Sequence, residues 1–206
     1  RPYKGPKHTV VTSVSLNGAT EVFGVGAQSD ALSFDEMIFE IGSITKVFTS
    51  ILMCLLAEEG QIDLDAPVRE VSPELDVVPE WITPAQLASH TSGLPRIHVP
   101  IWKALIKPLP QDPYSQFTRD DLLDWFRDWR VDAPPKKTHH SYSNLGVGLL
   151  GEALSIREGK PFVELLSQRV LTPLGLTDTV AVLNDDQHHR FMQPRSTKGK
   201  AVPAWT

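Results

Sequence analysis

Ser43 and Lys46 are the residues in this sequence whose types and spacing most directly suggest chemistry. A serine hydroxyl is a poor nucleophile until a base takes its proton. A lysine three residues further along a helix lies one turn away on the same face, where its amine can reach the hydroxyl. Burial favours the neutral form of a lysine, and a neutral amine can accept that proton. The pair therefore suggests a serine nucleophile with a proton-handling lysine.

The same two residues also fit a purely structural interpretation. Ser43 stands where a helix cap is expected, and Lys46 could run its stem along an apolar helix and leave its ammonium in water. A chain of this composition contains a Ser-x-x-Lys by accident roughly once. The spacing alone does not decide between a cap and a nucleophile, so the surrounding segments are needed to decide between them.

The segment from Ser43 to Glu59 has apolar residues at three- and four-residue spacing and few polar positions in its middle. This pattern predicts a helix that is buried nearly all round, with Gly60 as its stop. Cys54, the single cysteine, lies within it and is expected to be a small core residue rather than a reactive thiol. Ser43 would stand at the start of this helix.

The remaining patterns predict one β-hairpin followed by a mostly helical body, an α+β fold. The hairpin has strands at His8 to Leu16 and Thr20 to Val25, joined by the turn dipeptide Asn17-Gly18. Further helices are predicted from capping residues, proline positions and apolar spacing. They are Thr83 to Leu87, Thr118 to Trp129, Asn144 to Glu158 and Pro161 to Leu171.

Composition excludes several classes of function. A net charge of −5 gives no electrostatic footprint for nucleic acid. The longest apolar run, from Ile51 to Ala57, is too short to span a bilayer. Neither the adjacent pair His139-His140 nor His188-His189 has metal-ligand spacing, so we expect no metal and no cofactor.

Five segments in chain order resemble class C β-lactamases and their penicillin-binding and esterase relatives. They are Phe39–Thr49 with Gly-Ser-x-Thr-Lys, Glu59–Val68, Leu87–Pro95 with His-Thr-Ser-Gly-Leu-Pro, Tyr142–Asn144, and Pro173–Thr179 with Pro-Leu-Gly. One departure is local: the family usually has Pro-Gly a few residues before Tyr-Ser-Asn, where this chain has Pro134-Pro135-Lys136-Lys137.

The resemblance implies a β-lactamase/transpeptidase-like fold and a serine hydrolase that works through an acyl-enzyme on Ser43. It assigns Tyr142 as a general acid/base that shares the proton work with Lys46. It assigns Asn144 as a group that contacts the lysine and the substrate amide, and it leaves His90 a structural role. The substrate would be a small β-lactam, D-amino-acid peptide or ester, and the sequence does not separate these.

The resemblance also sets the expected organisation. Residues 1–38 would be the hairpin portion of an α/β sheet domain and residues 39–182 the helical domain with the active-site helix. Residues 183–206 would be an irregular tail leading to a missing C-terminal part. The family's C-terminal strands, with a third motif of Lys-Thr-Gly or His-x-Gly, are not found in this sequence.

Since a lone two-stranded hairpin is marginally stable, we expect either a fragment or a second chain or copy that completes the sheet. A periplasmic or secreted location is expected from the resemblance, although the sequence shows no signal-peptide pattern. The alternative hypothesis is a non-catalytic binding or structural module derived from this fold, or an inactive fragment.

Overall fold

The computed structural model of the protein describes residues 9–26, 32–98, 117–129, 134, 139–196 and 199–204. By their contacts the residues divide into two units, Gly42–Thr179 and a second unit of Arg1–Ile41 with Val180–Thr206. Residues 183–206, expected as a separate tail, therefore fall into the same unit as the hairpin. No helix among the described residues is long and apolar enough to cross a membrane.

The predicted β-hairpin is present. Strand β1 (Thr9–Leu16) pairs antiparallel with β2 (Ala19–Gly26) in a two-stranded sheet. Asn17 and Gly18 have φ values of 52° and 81°, the left-handed conformation that a two-residue hairpin turn requires and that Asn-Gly favours. His8, the first residue of the predicted strand, lies outside the described residues.

The helix predicted from the apolar spacing after Ser43 is also present. A 3-10 turn at Gly42–Ile44 leads directly into α1, Thr45–Glu58. Gly42 has a φ of 50°, which a glycine adopts at no steric cost. Gly60, with a φ of 70°, follows the helix as predicted.

The other helices of the same unit begin at the residues that the capping signals indicate. Thr83 and Thr118 each accept the N–H of the third helical residue in a reciprocal capping box. Two 3-10 turns precede these helices, at Val68–Val71 and Pro73–Leu75. The helices are α2 (Pro84–Ala88), α3 (Arg119–Asp128), α4 (Asn144–Glu158) and α5 (Phe162–Leu166), and α5 continues as a π-helical turn over Ser167–Leu171.

The core of the unit lies where α1, α2 and α4 pack together. Leu52 and Leu56 of α1, Leu87 of α2, and Leu149 and Leu150 of α4 are all 0% exposed. Burying a leucine side chain completely stabilises the fold by about 1.5–3 kcal/mol relative to leaving it exposed. This packing holds the middle of α1 against α4, and Asn144 is the first residue of α4.

The prediction that α1 is buried nearly all round is wrong. Ile44, in the turn before α1, and Val47 are 57% and 56% exposed. Helices α2, α4 and α5 contact α1, and its buried residues Leu52 and Leu56 lie in the shared core. The prediction that Cys54 is a core residue is also wrong, since its side chain is exposed.

The expectation of an irregular tail is also wrong over part of its length. Helix α6 (Asp185–Arg190) begins after Asn184, which forms a capping box with Gln187. Its end is joined to the segment that follows the hairpin, because the N–H of Ile38 donates to the Arg190 carbonyl at 2.9 Å. These residues all belong to the hairpin's unit.

Candidate active site

Ser43 and Lys46 lie at the N-terminal end of α1. The 3-10 turn leaves Ser43 exposed at the helix start, and Lys46 follows one turn later, half-buried. The Nζ of Lys46 donates a hydrogen bond to the Oγ of Ser43 at 3.3 Å. Spacing, helix and contact therefore agree with the geometry that the Ser-x-x-Lys pattern predicts.

Tyr142 reaches the same oxygen from the segment that leads into α4. Its hydroxyl donates to Ser43 Oγ at 2.6 Å, a short and well-formed hydrogen bond. The Nζ of Lys46 lies 4.9 Å from the centre of the Tyr142 ring. The structure thus brings a hydroxyl, an amine and a phenol together at one oxygen atom.

Arg96 lies beside this group, with its guanidinium carbon 5.3 Å from the centre of the Tyr142 ring. Burial raises the pKa of the Tyr142 phenol, but other interactions outweigh it. Side-chain hydrogen bonding with Lys46 and Ser43, together with the charges of Lys46 and Arg96, favours the phenolate. The net result is a Tyr142 pKa below its ordinary value, so the phenolate forms more readily than in an isolated tyrosine.

Ser143 fixes the backbone that follows Tyr142. Its hydroxyl accepts the N–H of Gly146 at 2.8 Å, which caps the first turn of α4, and donates to the carbonyl of Pro95 at 2.6 Å. Ser143 is 1% exposed, so both bonds are shielded from water. One side chain therefore attaches the loop after α2 to the helix after Tyr142.

Asn144 is held in the same way and lies beside Lys46. Its backbone N–H donates to the Arg96 carbonyl at 2.9 Å. Asn144 and Lys46 both line a cavity of about 330 Å³ between α1 and α4. The other lining residues are Thr45, Thr49, Val147, Gly148, Gly151, Glu152 and Phe162. Lys46, which is hydrogen-bonded to Ser43, thus also lines this cavity.

The structure therefore brings all four predicted site residues into one region of one unit. Arg96 is a residue that sequence reasoning missed. It follows directly on the segment with His-Thr-Ser-Gly-Leu-Pro, but no spacing connects it to Tyr142, since their proximity depends on the path of the loop. Within the described residues, no group of three or more His, Cys, Asp or Glu side chains is arranged to hold a metal ion.

Comparisons with known proteins indicate the family to which the chain belongs. The family described as Beta-lactamase matches residues 7–206. The chain is 29% identical to a β-lactamase of Providencia stuartii over 92% of its own length and 47% of that enzyme. It is 32% identical to the D-alanyl-D-alanine-carboxypeptidase/endopeptidase AmpH of Escherichia coli K12, over 76% of this chain and 40% of AmpH.

Among solved structures, a class C β-lactamase from Rhodobacter sphaeroides matches with a TM-score of 0.73 and 30% identity. The match covers 96% of this chain and 53% of that one, so the chain spans about half the length of the relatives it matches. The predicted α+β fold of the β-lactamase/transpeptidase type is confirmed. The likeness extends over nearly all of the sequence, and the chain belongs to the β-lactamase family.

Proposed function

We propose that the protein is a serine hydrolase that works through an acyl-enzyme on Ser43. The observation that carries this proposal is the convergence on Ser43 Oγ of the Tyr142 hydroxyl at 2.6 Å and the Lys46 amine at 3.3 Å. A nucleophile activated by an adjacent base, with a third group orienting that base, is the arrangement that covalent catalysis requires.

Acylation begins with removal of the Ser43 proton. The Tyr142 phenolate accepts it, stabilised by the Lys46 charge, while Oγ forms a bond to the carbonyl carbon of the substrate. The tetrahedral intermediate then collapses as the carbonyl C–N or C–O bond breaks. The same proton passes to the departing nitrogen or oxygen, which leaves an ester on Ser43.

Deacylation repeats these steps with water. A water molecule gives a proton to Tyr142 and adds its oxygen to the ester carbonyl carbon. The bond to Ser43 Oγ then breaks, and the proton returns from Tyr142 to Ser43. The cycle ends with a free carboxylic acid and the three side chains in their original protonation states.

The negative oxygen of each tetrahedral intermediate needs hydrogen-bond donors. The start of α1 offers backbone N–H groups and the positive end of a helix dipole. Among the described side chains none caps this helix start, so no cap competes with a substrate carbonyl for its N–H groups. Asn144 is proposed to contact the Lys46 amine and the amide of the substrate.

For the substrate we propose a small β-lactam, a D-amino-acid peptide or an ester. The names of the Providencia β-lactamase and of AmpH support the first two, since they describe a β-lactamase and a D-alanyl-D-alanine carboxypeptidase. A periplasmic or secreted location, and a second chain or copy that completes the sheet, remain predictions from the resemblance.

Covalent labelling tests the proposal. Wild type, Ser43→Ala and Ser13→Ala are incubated with a fluorescent penicillin and with a fluorophosphonate, and the bound label is located by mass spectrometry. Ser13 is an exposed serine of β1 and serves as the matched control. We expect stoichiometric label on Ser43 in the wild type and in Ser13→Ala, and none in Ser43→Ala.

The same experiment separates the enzyme from a non-catalytic module of the same fold. It is carried out on the 206-residue chain and on the longest natural form of the protein that contains it. If neither form takes up either reagent at Ser43, the hydrolase proposal is wrong, and the binding or structural module becomes the better description.

A further inference from the structure

His90 contacts three successive residues around the phenol. Its carbonyl accepts the backbone N–H of Ser141 at 2.8 Å, and its Nδ1 accepts the backbone N–H of Ser143 at 3.2 Å. Its ring lies 4.5 Å from the ring of Tyr142, tilted by 41°. The residues on both sides of Tyr142, and the ring of Tyr142 itself, are therefore held by one side chain and its own carbonyl.

The backbone of His90 adopts a conformation that is unfavourable for most residues. Its φ is 59°, a left-handed conformation that only a few per cent of non-glycine residues adopt. The segment could turn at lower conformational cost with glycine, but glycine has no acceptor for the Ser143 N–H. The strain is compatible with a role for the imidazole itself.

We propose that His90 is a positioning residue that holds Tyr142 against Ser43, and that it does so only while its imidazole is unprotonated. The inference rests on the proposed function, because it concerns the same acylation step. The Nδ1 atom must be an acceptor to receive the Ser143 N–H, which requires the neutral ring with its proton on Nε2. Protonation would set an N–H of the imidazolium against the N–H of Ser143 and break that bond.

The charges around His90 oppose its protonation. Lys46 faces His90 from α1. The ring of His140, in the segment before Tyr142, lies edge-on to the His90 ring with their centres 5.6 Å apart. Arg96 lies over the ring of Tyr142, which His90 also contacts. Burial, followed by the charges of His140 and Lys46, lowers the pKa of His90 below its ordinary value. The lowered pKa favours the neutral imidazole that the contact requires, so the contact should be lost as the pH falls.

Two substitutions separate a positioning role from a merely structural one. In His90→Asn the Oδ1 atom stands at the same number of bonds from the backbone as Nδ1, accepts a hydrogen bond and does not titrate. Asparagine also tolerates the left-handed conformation. His90→Leu retains bulk but has no acceptor. His139→Asn, at a neighbouring exposed histidine, is the matched control.

The rate of Ser43 labelling by a fluorophosphonate is measured from acid to neutral pH in these four proteins, with folding checked by circular dichroism. At neutral pH we expect His90→Asn to stay within about threefold of wild type and His90→Leu to fall at least about tenfold, the size of effect that one lost hydrogen bond produces. In wild type and His139→Asn the labelling rate should fall in acid as His90 becomes protonated. This fall should be absent from the pH profile of His90→Asn. Equal rates for the Asn and Leu variants, or the same acid loss in His90→Asn, would overturn the inference.

An NMR pH titration of the isotope-labelled wild-type chain, without any reagent bound at Ser43, provides a readout that does not depend on catalysis. The amide proton of Ser143 should shift with the same midpoint as the His90 ring nitrogens, and in His90→Asn this shift should be absent. If no protein is labelled at Ser43, the proposed function fails, and the titration still decides whether His90 holds the Ser143 backbone. A Ser143 amide that ignores the ionisation of His90 rules out the positioning role.

Discussion

The two ends of helix α1 are held by different kinds of interaction. In its middle and C-terminal half, Leu52 and Leu56 are 0% exposed and pack into the core of the helical unit. Just before its N-terminal end, Ser43 is exposed and is hydrogen-bonded to Tyr142 and Lys46. Packing fixes one end, and the directional contacts of a few polar groups fix the other.

The difference teaches that stability and chemistry are separable within this one helix. The free energy gained by burying apolar side chains is roughly proportional to the area removed from water, so it tolerates small shifts of position. The contacts at Ser43 depend on distances of a few tenths of an ångström, and they contribute little to the free energy of unfolding. Substitutions at the two ends should therefore have opposite signatures in activity and in stability.

The largest effect is expected at the polar end. Tyr142→Phe removes the phenol oxygen but retains the ring that packs beside His90. Loss of a general acid/base lowers a rate by about 10²–10⁴-fold, whereas the free energy of unfolding should change by less than about 0.5 kcal/mol. Labelling kinetics and urea unfolding measure the two quantities. A variant that labels at the wild-type rate would show that the phenol is not part of the chemistry.

The packed end should respond in the opposite way. Leu52→Ala leaves a cavity in the core and is expected to lower the free energy of unfolding by about 2–5 kcal/mol. The labelling rate per folded molecule should stay near that of the wild type. Val47→Ala on the exposed face of the same helix, where the side chain is 56% exposed, is the control and should cost less than about 0.5 kcal/mol. Similar losses at both positions would contradict the division of α1 into a packed side and an open side.

Ser143 connects the two kinds of interaction, because it caps α4 and also joins the loop after α2. Ser143→Ala should cost about 1 kcal/mol of stability, the usual value of a helix cap, and should also slow labelling about tenfold through the displaced Tyr142. Thr118→Ala, which removes the corresponding cap of α3, should cost the same stability with no change in labelling. If both variants label equally fast, the cap does not position the phenol.

The smallest expected effect concerns electrostatics alone. Arg96→Met keeps much of the stem but removes the positive charge beside Tyr142, so the phenolate loses a stabilising charge and the pKa of Tyr142 should rise. Ultraviolet titration of tyrosinate measures this in a background where Tyr3 and Tyr114 are replaced by Phe, so that Tyr142 is the only tyrosine. The absorbance of the phenolate should appear at higher pH in Arg96→Met, and an unchanged midpoint would mean that Arg96 does not act on the phenol.

Much of the fold could be predicted from local signals. Asn17-Gly18 marked the hairpin, Thr83 and Thr118 marked two helix starts, and the predicted bounds of α4 agree with the structure. These signals succeed because a turn or a cap is decided by a few neighbouring residues. Helix α6 was missed although Asn184 and Gln187 form a readable capping box, because six residues are too few for an apolar period.

The parts that failed depend on the tertiary arrangement. Apolar spacing predicts that α1 will bury surface, but it does not tell which sides neighbouring elements cover, and this is why Cys54 was misplaced. The spacing likewise predicted that Ser43 and Lys46 are close together, whereas Tyr142 could be assigned to the same site only from the resemblance. The contacts of His90 and Arg96 with Tyr142 follow from the path of a loop, for which the sequence has no periodic signal.

Cys54 has a practical consequence for anyone who studies this protein in solution. It is the single cysteine of the chain, it is exposed, and it lies on α1, which begins just after Ser43, roughly 16 Å along the axis at about 1.5 Å per residue. A nitroxide or a fluorophore could therefore be attached to this thiol without introducing a cysteine or removing another one. Paired with a dye carried by an acylating reagent, it would turn occupancy of Ser43 into a measured distance, followed in real time on the unmodified sequence.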